Sequence, residues 1–232
     1  MALTTLSRGR APQTKQMFVY QTLRDAIMRC DLQPGQRLII DAIARQLSVS
    51  PIPVREALQL LQAEGLVENT AHTGASVAPI SRDSIVETFT ILEGLETVAV
   101  RTAAERMTDA DWAALAAIVA DMDDILHSRA HERWGDLNAQ FHRAIARATA
   151  MPLLYDMTDR ALGRWDRIRR YYFTSVLEHR IIRSQEEHHA ILDAMRRGDT
   201  AAMERLVRAH NQGAMTAYAA HLAEQPQAKE SS

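Results

Sequence analysis

Imidazoles are the side chains best suited to chemistry in this sequence. Of nine histidines, His72 alone precedes Ala78, and His127, His131, His142, His179, His188, His189, His210 and His221 follow it. Asn138 and His142 stand four residues apart, so on a helix they project from one face. His188 lies 10 residues before Gly198 and His210 lies 12 after it. At about 1.5 Å per residue the two rings sit roughly 15 and 18 Å from a shared turn, and antiparallel helices would let them face each other. Three neutral imidazoles and an amide oxygen converging in a helical interior would make a divalent-metal site with positions left for a ligand or water. A lone helical histidine is more often a surface or hydrogen-bonded residue. That reading is given to His127, His131, His179, His189 and His221; His189 points about 100° away from His188.

A second group of side chains gathers near residue 50. Two short helices, Asp41 to Leu47 and Pro51 to Glu64, are expected on either side of the polar turn Ser48-Val49-Ser50. Ser50 is placed as an N-cap, and Pro51 sits where a missing N–H does no harm. On the second helix Val54, Leu58 and Leu61 share one face, while Ile52, Arg55, Gln59 and Gln62 share the other. Outward guanidinium and amide groups are the ones that grip phosphates or read purines. Gly65 ends the helix, and Leu66 to Glu68 and Ala75 to Val77 read as short strands around the turn Asn69 to Gly74. Together these are a helix-turn-helix with a β-wing.

The elements that must hold these groups are mostly helical. The chain has 232 residues with 47% hydrophobic and 24% charged side chains, near the globular average, which argues against disorder, collagen and coiled coil. One cysteine, Cys30, cannot form an internal disulfide, so a stapled secreted domain is excluded and a reducing cytoplasm fits. No apolar run reaches the length of a signal peptide or a membrane span. The net charge of -2 argues at first against a polyanion partner, yet residues 1–78 hold 8 basic and 6 acidic side chains while the remainder carries the acidic excess. The fold expected is mainly α: a flexible arm over 1–15, a winged helix-turn-helix over 16–80, an antiparallel all-α bundle over 81–222 and a disordered tail over 223–232. In the first unit a helix from Lys15 to Arg29 would bury Phe18, Leu23, Ala26 and Ile27. In the second, helices are expected over Ser84–Arg106, Ala110–Leu126, Asp136–Ala148, Leu153–Phe173, Ile181–Arg197 and Thr200–Tyr218, with Trp112, Trp134 and Trp165 as core or pocket walls.

The blocks Leu32-Gln33-Pro34-Gly35-Gln36-Arg37-Leu38, Ile43-Ala44-Arg45-Gln46-Leu47-Ser48-Val49-Ser50, Pro53-Val54-Arg55-Glu56-Ala57-Leu58, Glu64-Gly65-Leu66-Val67 and Gly74-Ala75-Ser76-Val77 closely resemble the GntR family of bacterial transcription regulators. They keep the family's order and spacing over about residues 17–80. The resemblance implies duplex DNA as partner, with Arg55 on backbone or base edge, Ser50 on phosphate, and Thr73 and Gly74 of the wing in the minor groove. Ile52 and Gln59 share the reading face. Pro51 stands where the family commonly has Arg, and Asp41 where it often has a basic residue. Both departures weaken the electrostatic grip, which Arg45 and the arm residues Arg8, Arg10 and Lys15 can restore through phosphate contacts.

Residues 84–220 resemble the FCD domain, the helical effector-binding domain of the FadR branch of that family. The resemblance lies in Phe141-His142-Arg143-Ala144-Ile145, Glu187-His188-His189-Ala190-Ile191-Leu192-Asp193-Ala194, Gly198-Asp199 and Ala209-His210. It implies that Asn138, His142, His188 and His210 hold a divalent ion, zinc or a similar metal. Asn138 stands where an acid is an alternative, and its neutral amide keeps the ion's full charge and favours an anionic ligand. A small carboxylate effector would take an arginine as second partner, from among Arg101, Arg143, Arg164 and Arg169. The function implied is a homodimeric cytoplasmic repressor of a bacterial metabolic operon, responsive to a small organic acid. Two alternatives stand beside it: a constitutive DNA binder with a purely structural metal, and a helical metallohydrolase. Glu187 is the nearest base for the latter and reads as a helix-surface acid.

Overall fold

The structure is a computed structural model describing residues 14–70, 74–126, 131–172, 176 and 178–224. The chain divides into two compact units between Pro79 and Ile80. Arg8, Arg10, His72, Thr73 and His127 lie outside the described residues, as does most of the expected tail.

The first unit runs α1 (Lys15–Met28), α2 (Ile40–Gln46), α3 (Pro51–Ala63), β1 (Val67–Thr70) and β2 (Gly74–Val77). Thr14 caps α1 by accepting from the Met17 amide at 3.2 Å. Its buried face is Val19, Leu23 and Ile27, an i, i+4, i+8 stripe. Phe18 was expected inside and is instead 44% exposed, because it lies a step around the helix from that stripe. α3 starts with Pro51 in its first turn after Ser50, whose side chain makes no capping bond, so the helix start rests on the prolines. It ends in a Schellman motif: Leu66 N–H donates to Leu61 O and Gly65 N–H to Gln62 O, each at 2.9 Å. Gly65 adopts φ 71° there, which only glycine takes without strain. β1 and β2 pair antiparallel from Val67 opposite Val77 to Thr70 opposite Gly74. Val54, Leu58 and Leu61 of α3 close the core with Val67 and Val77.

The second unit is a bundle of α4 (Arg82–Arg106), α5 (Asp109–Leu126), α6 (His131–Ala148), α7 (Pro152–Tyr171), α8 (Glu178–Arg197) and α9 (Thr200–Glu224). Ser81 and Ser84 form a capping box at the start of α4. Thr108 and Asp111 exchange equivalent bonds at α5. α6 starts five residues before the position expected, and α9 continues through Glu224, so residues 223 and 224 are helical rather than tail. α9 packs along α4 and α8, α5 against α6, and α7 against α4 and α6. One apolar cluster centres on Leu115, Met122, Trp134, Phe141 and Met195, and another on Phe89, Leu92, Leu162, Trp165 and Tyr218. Among the described residues, no helix is long and apolar enough to cross a membrane.

Candidate functional site

Four helices of the second unit turn polar side chains inward where an apolar stripe would continue. On α4, Glu96 interrupts Leu92, Ala99 and Ala103. On α6 it is Asn138 and His142, on α8 Arg180, Ser184, Gln185 and His188, and on α9 His210 and Asn211. All of them are buried. Polar groups held there need partners, since an unmet one costs about 1–3 kcal/mol.

His142, His188 and His210 come together from α6, α8 and α9. One ring nitrogen of each lies within 4.8 Å of the others, and among the described residues this is the one histidine, cysteine and carboxylate grouping so arranged. His188 is wholly buried, and its ring lies 4.7 Å from Phe141 and 5.8 Å from Trp134, centroid to centroid. Burial above all, then the neighbouring His210, His142 and Arg180, holds the His188 imidazole well below its ordinary pKa and neutral. His210 is lowered for the same first reason, against the opposing pull of Glu187.

Each Nδ1 has a partner. His142 Nδ1–H donates to Glu96 Oε1 at 2.9 Å, and His210 Nδ1–H to Glu187 Oε2 at 2.8 Å. Gln185 donates its amide to Asp123 Oδ1 at 2.8 Å and Val119 O at 3.1 Å, which turns its oxygen toward His188 Nδ1 at 3.4 Å. These bonds select the tautomer whose Nε2 carries the lone pair, the arrangement that orients metal-ligating histidines. His188 Nε2 is buried with no hydrogen-bond partner. A neutral nitrogen acceptor left bare in this position fits a divalent cation.

Beside the imidazoles is a cavity lined by Glu96, Asn138, His142, Arg180, His210 and Tyr218 among others. Asn138 is therefore at the site, one turn before His142. Glu96 also accepts from Asn211 Nδ2 at 2.7 Å. Burial pushes the Glu96 carboxyl up, but the charge and hydrogen bond of His142, backed by His210 and Asn211, outweigh it and hold the group below its ordinary pKa. Glu187 is similarly opposed by desolvation, yet His210 and Arg180 bring it down to about 2.

None of the four arginines named from sequence lines this cavity. Arg101 is exposed and pairs with Glu204, Arg143 pairs with Asp159, and Arg164 faces outward. Arg169 is buried but committed to Asp136 and Asp166. The cavity's arginine is Arg180, whose Nη2 donates to Glu187 Oε2 at 2.8 Å and to His210 O at 2.9 Å. Its passage depends on Gly213, where a Cβ would lie 2.8 Å from Arg180 Nη2. Glu187 is thereby corrected from a surface acid to a half-buried link joining Arg180, Arg183 and His210. The signal for Glu96 was legible, an acid at a core position of α4. Arg180 gave none, because a run of polar side chains on one helix face reads as solvent-facing. Trp134 and Trp165 are cavity walls, while Trp112 packs on the core under Arg196.

In the first unit Arg55, Gln59, Gln62, Asn69 and Gly74 line one groove between α3 and the strands. Ile52 is 66% exposed at the start of α3. Arg45 and Ser50 are exposed but outside that groove. Arg45 donates from Nε to Asp41 O at 3.2 Å, which ties it to its own helix.

Comparison with known proteins agrees with both halves of this picture. The family described as bacterial regulatory proteins, gntR family, matches residues 15–77, and the FCD domain matches residues 87–213. The HTH-type transcriptional regulator BphR of Paraburkholderia xenovorans (strain LB400) is 30% identical, with 82% of this chain and 80% of BphR covered. The HTH-type transcriptional repressor RspR of Escherichia coli (strain K12) is 25% identical over 84% of each chain. The solved structure of E. coli McbR/YncC shares the fold at a TM-score of 0.67 and 23% identity, covering 88% of this chain and 97% of that one. With a reading helix and wing in one unit, a helical bundle in the other, and both family models matched in that order, the chain belongs to the GntR family of bacterial regulatory proteins, in its FCD-domain branch, and is a transcription regulator rather than an enzyme.

Proposed function

We propose that the chain is a homodimeric, cytoplasmic repressor of a metabolic operon that binds operator DNA through α3 and the wing and senses a small carboxylate in the bundle. His142, His188 and His210 would hold zinc or a similar divalent ion, with Asn138 as a neutral oxygen donor. The observation that carries this reading is the bare, buried Nε2 of His188 among three imidazoles whose other nitrogens are already tied. A bound ion supplies Lewis acidity and positive charge for an anionic ligand. The chain's own groups do the rest: Arg180 offers the cavity's guanidinium, and Glu96 and Glu187 fix the rings of His142 and His210. The ligand then favours one arrangement of the two reading heads, and that difference in affinity moves the dimer on or off its half-sites. RspR is named a repressor, and release on ligand is the sign proposed here. The cavity beside the histidines favours a sensor over a metal that only staples the bundle.

The test is a mobility-shift titration of the native upstream region with the zinc-loaded protein, with and without small carboxylates, alongside native mass spectrometry for the dimer. A ligand that binds but leaves operator affinity unchanged would overturn the switch. Arg55→Ala should weaken operator binding by about 1–3 kcal/mol, and lower the salt slope by about 1 if the contact is to phosphate. Wild-type affinity in that variant would remove Arg55 from the interface. Truncating Gln59 to Ala should relax base preference and leave the salt dependence as it is, because an amide reads base edges without releasing counterions.

A further inference from the structure

We infer that the effector is a singly charged carboxylate with an apolar body that also carries an uncharged hydrogen-bond acceptor. This deepens the proposed sensing role and rests on it. Three features of the cavity point the same way.

The first is the shortage of positive side chains. Among the described lining residues Arg180 is the one arginine or lysine, and its Nη groups are already met by Glu187 and the His210 carbonyl. Only its Nε is left without a partner. One carboxylate can take the cationic end of the cavity. With the proposed divalent ion in place, its charge and that of Arg180 exceed those of Glu96 and Glu187 by one, so a second carboxylate would leave an uncompensated negative charge, which is strongly disfavoured in such surroundings.

The second is the apolar wall. Phe89, Leu92, Leu162, Trp165, Val176 and Ala214 make most of the remaining lining, a surface that a hydrocarbon body covers and a polyanion does not.

The third is a pair of idle donors. Trp134 Nε1 and Tyr218 Oη are both buried and without a partner, and both residues line this cavity. Trp134 stacks on His188 and Tyr218 on Phe89, so neither ring is placed to turn outward for solvent. An indole N–H can only donate. A phenol that deep is kept protonated, so it too has a proton to give. A hydroxyl or keto oxygen on the ligand would meet one or both without adding charge.

The experiment compares three four-carbon acids, butyrate, 4-hydroxybutyrate and succinate, by calorimetric titration into the zinc-loaded full-length dimer. 4-Hydroxybutyrate should bind about tenfold more tightly than butyrate, the effect of meeting one buried donor. Succinate should bind more weakly than either. Tyr218→Phe or Trp134→Phe should erase the hydroxyl's advantage while leaving butyrate within about twofold of wild type. Ligand-free Tyr218→Phe should melt no lower than wild type, because it removes an unmet hydroxyl, and this guards against a folding defect. Succinate binding as tightly as 4-hydroxybutyrate, or an advantage that survives both substitutions, overturns the inference and leaves the sensor reading intact. If none of the three acids binds the metal-loaded protein, the inference falls together with the sensor reading.

Discussion

A His188→Leu variant should emerge from purification without a divalent ion, where wild type should carry about one per chain, as expected for three converging imidazoles with a position left open. Among the described residues His188 supplies the one imidazole nitrogen that is both buried and bare, and two imidazoles from separate helices make a far weaker site. The consequence for stability is large. At an ion concentration about 1,000 times the dissociation constant, a site present only in the folded state adds about 4 kcal/mol. For a domain of this size that is about 8–16 °C in melting temperature. Chelation should therefore lower the wild-type midpoint by that amount and leave His188→Leu where it stands. The leucine removes the unmet Nε2 but takes the Nδ1–H from the Gln185 oxygen, two effects of about 1–3 kcal/mol that oppose each other, so the variant should melt close to chelated wild type. That comparison separates loss of the metal from loss of the fold. Equal metal content in the two proteins, or an equal response to chelator, would end the metal assignment. Gln185→Leu, which frees the His188 ring, should cost about 10–100-fold in metal affinity while all three ligands remain.

Gly135→Ala should destabilise the bundle by about 3 kcal/mol, although alanine is the better helix former by about 1 kcal/mol. A Cβ at Gly135 would stand 2.3 Å from Arg169 Nη1 and 2.5 Å from its Cζ. The guanidinium has nowhere to retreat. Arg169 is 1% exposed, donates from Nη2 to Asp136 Oδ1 at 2.7 Å and from Nε to Asp166 Oδ1 at 2.9 Å, and lies 5.6 Å from the centre of the Trp165 ring. Displacing one partner of a buried ion pair costs about 3–5 kcal/mol because the charge is left uncompensated. The same methyl added to an Arg169→Ala background should cost nothing and return the helix propensity gain. Urea unfolding of the four proteins in that double-mutant cycle measures the coupling. Additive effects would show that Gly135 is not there to make room for the guanidinium. Because Trp165 also walls the cavity, Gly135→Ala should disturb ligand binding as well as stability.

How much was legible in the sequence differs between the two units. In the reading head, Pro51, Gly65 and the spacing of Val54, Leu58 and Leu61 act within a few residues of themselves, so local chemistry determined the helix starts, stops and faces. The face of α1 was misjudged at Phe18, because a helix with apolar residues on two sides chooses its inner face by what packs on it. In the bundle, periodicity and caps determined the helices, His188 and His210 could be set facing each other from their spacing about Gly198, and the family resemblance joined His142 to them. The residues that complete the site could not be placed in this way. Gln185 reaches Asp123, Glu187 reaches His210 and Arg180 reaches the His210 carbonyl across 62, 23 and 30 residues of chain, and whether a polar helix face meets water or another polar face is decided by which helix packs there. The same limit led to Arg101, Arg143, Arg164 and Arg169 as effector partners, since an arginine's sequence neighbours do not say whether its guanidinium is spent on a carboxylate.

The sequence by itself determined that there are two units, that one presents a guanidinium and amides on an exposed helix, and that two imidazoles stand at matching helical distances from one turn. Only the tertiary structure decided which nitrogen of each ring is tied, which arginine reaches the cavity and which donors are left idle within it. Backbone order is governed by neighbours in the chain, whereas hydrogen-bond satisfaction in a buried site is governed by neighbours in space.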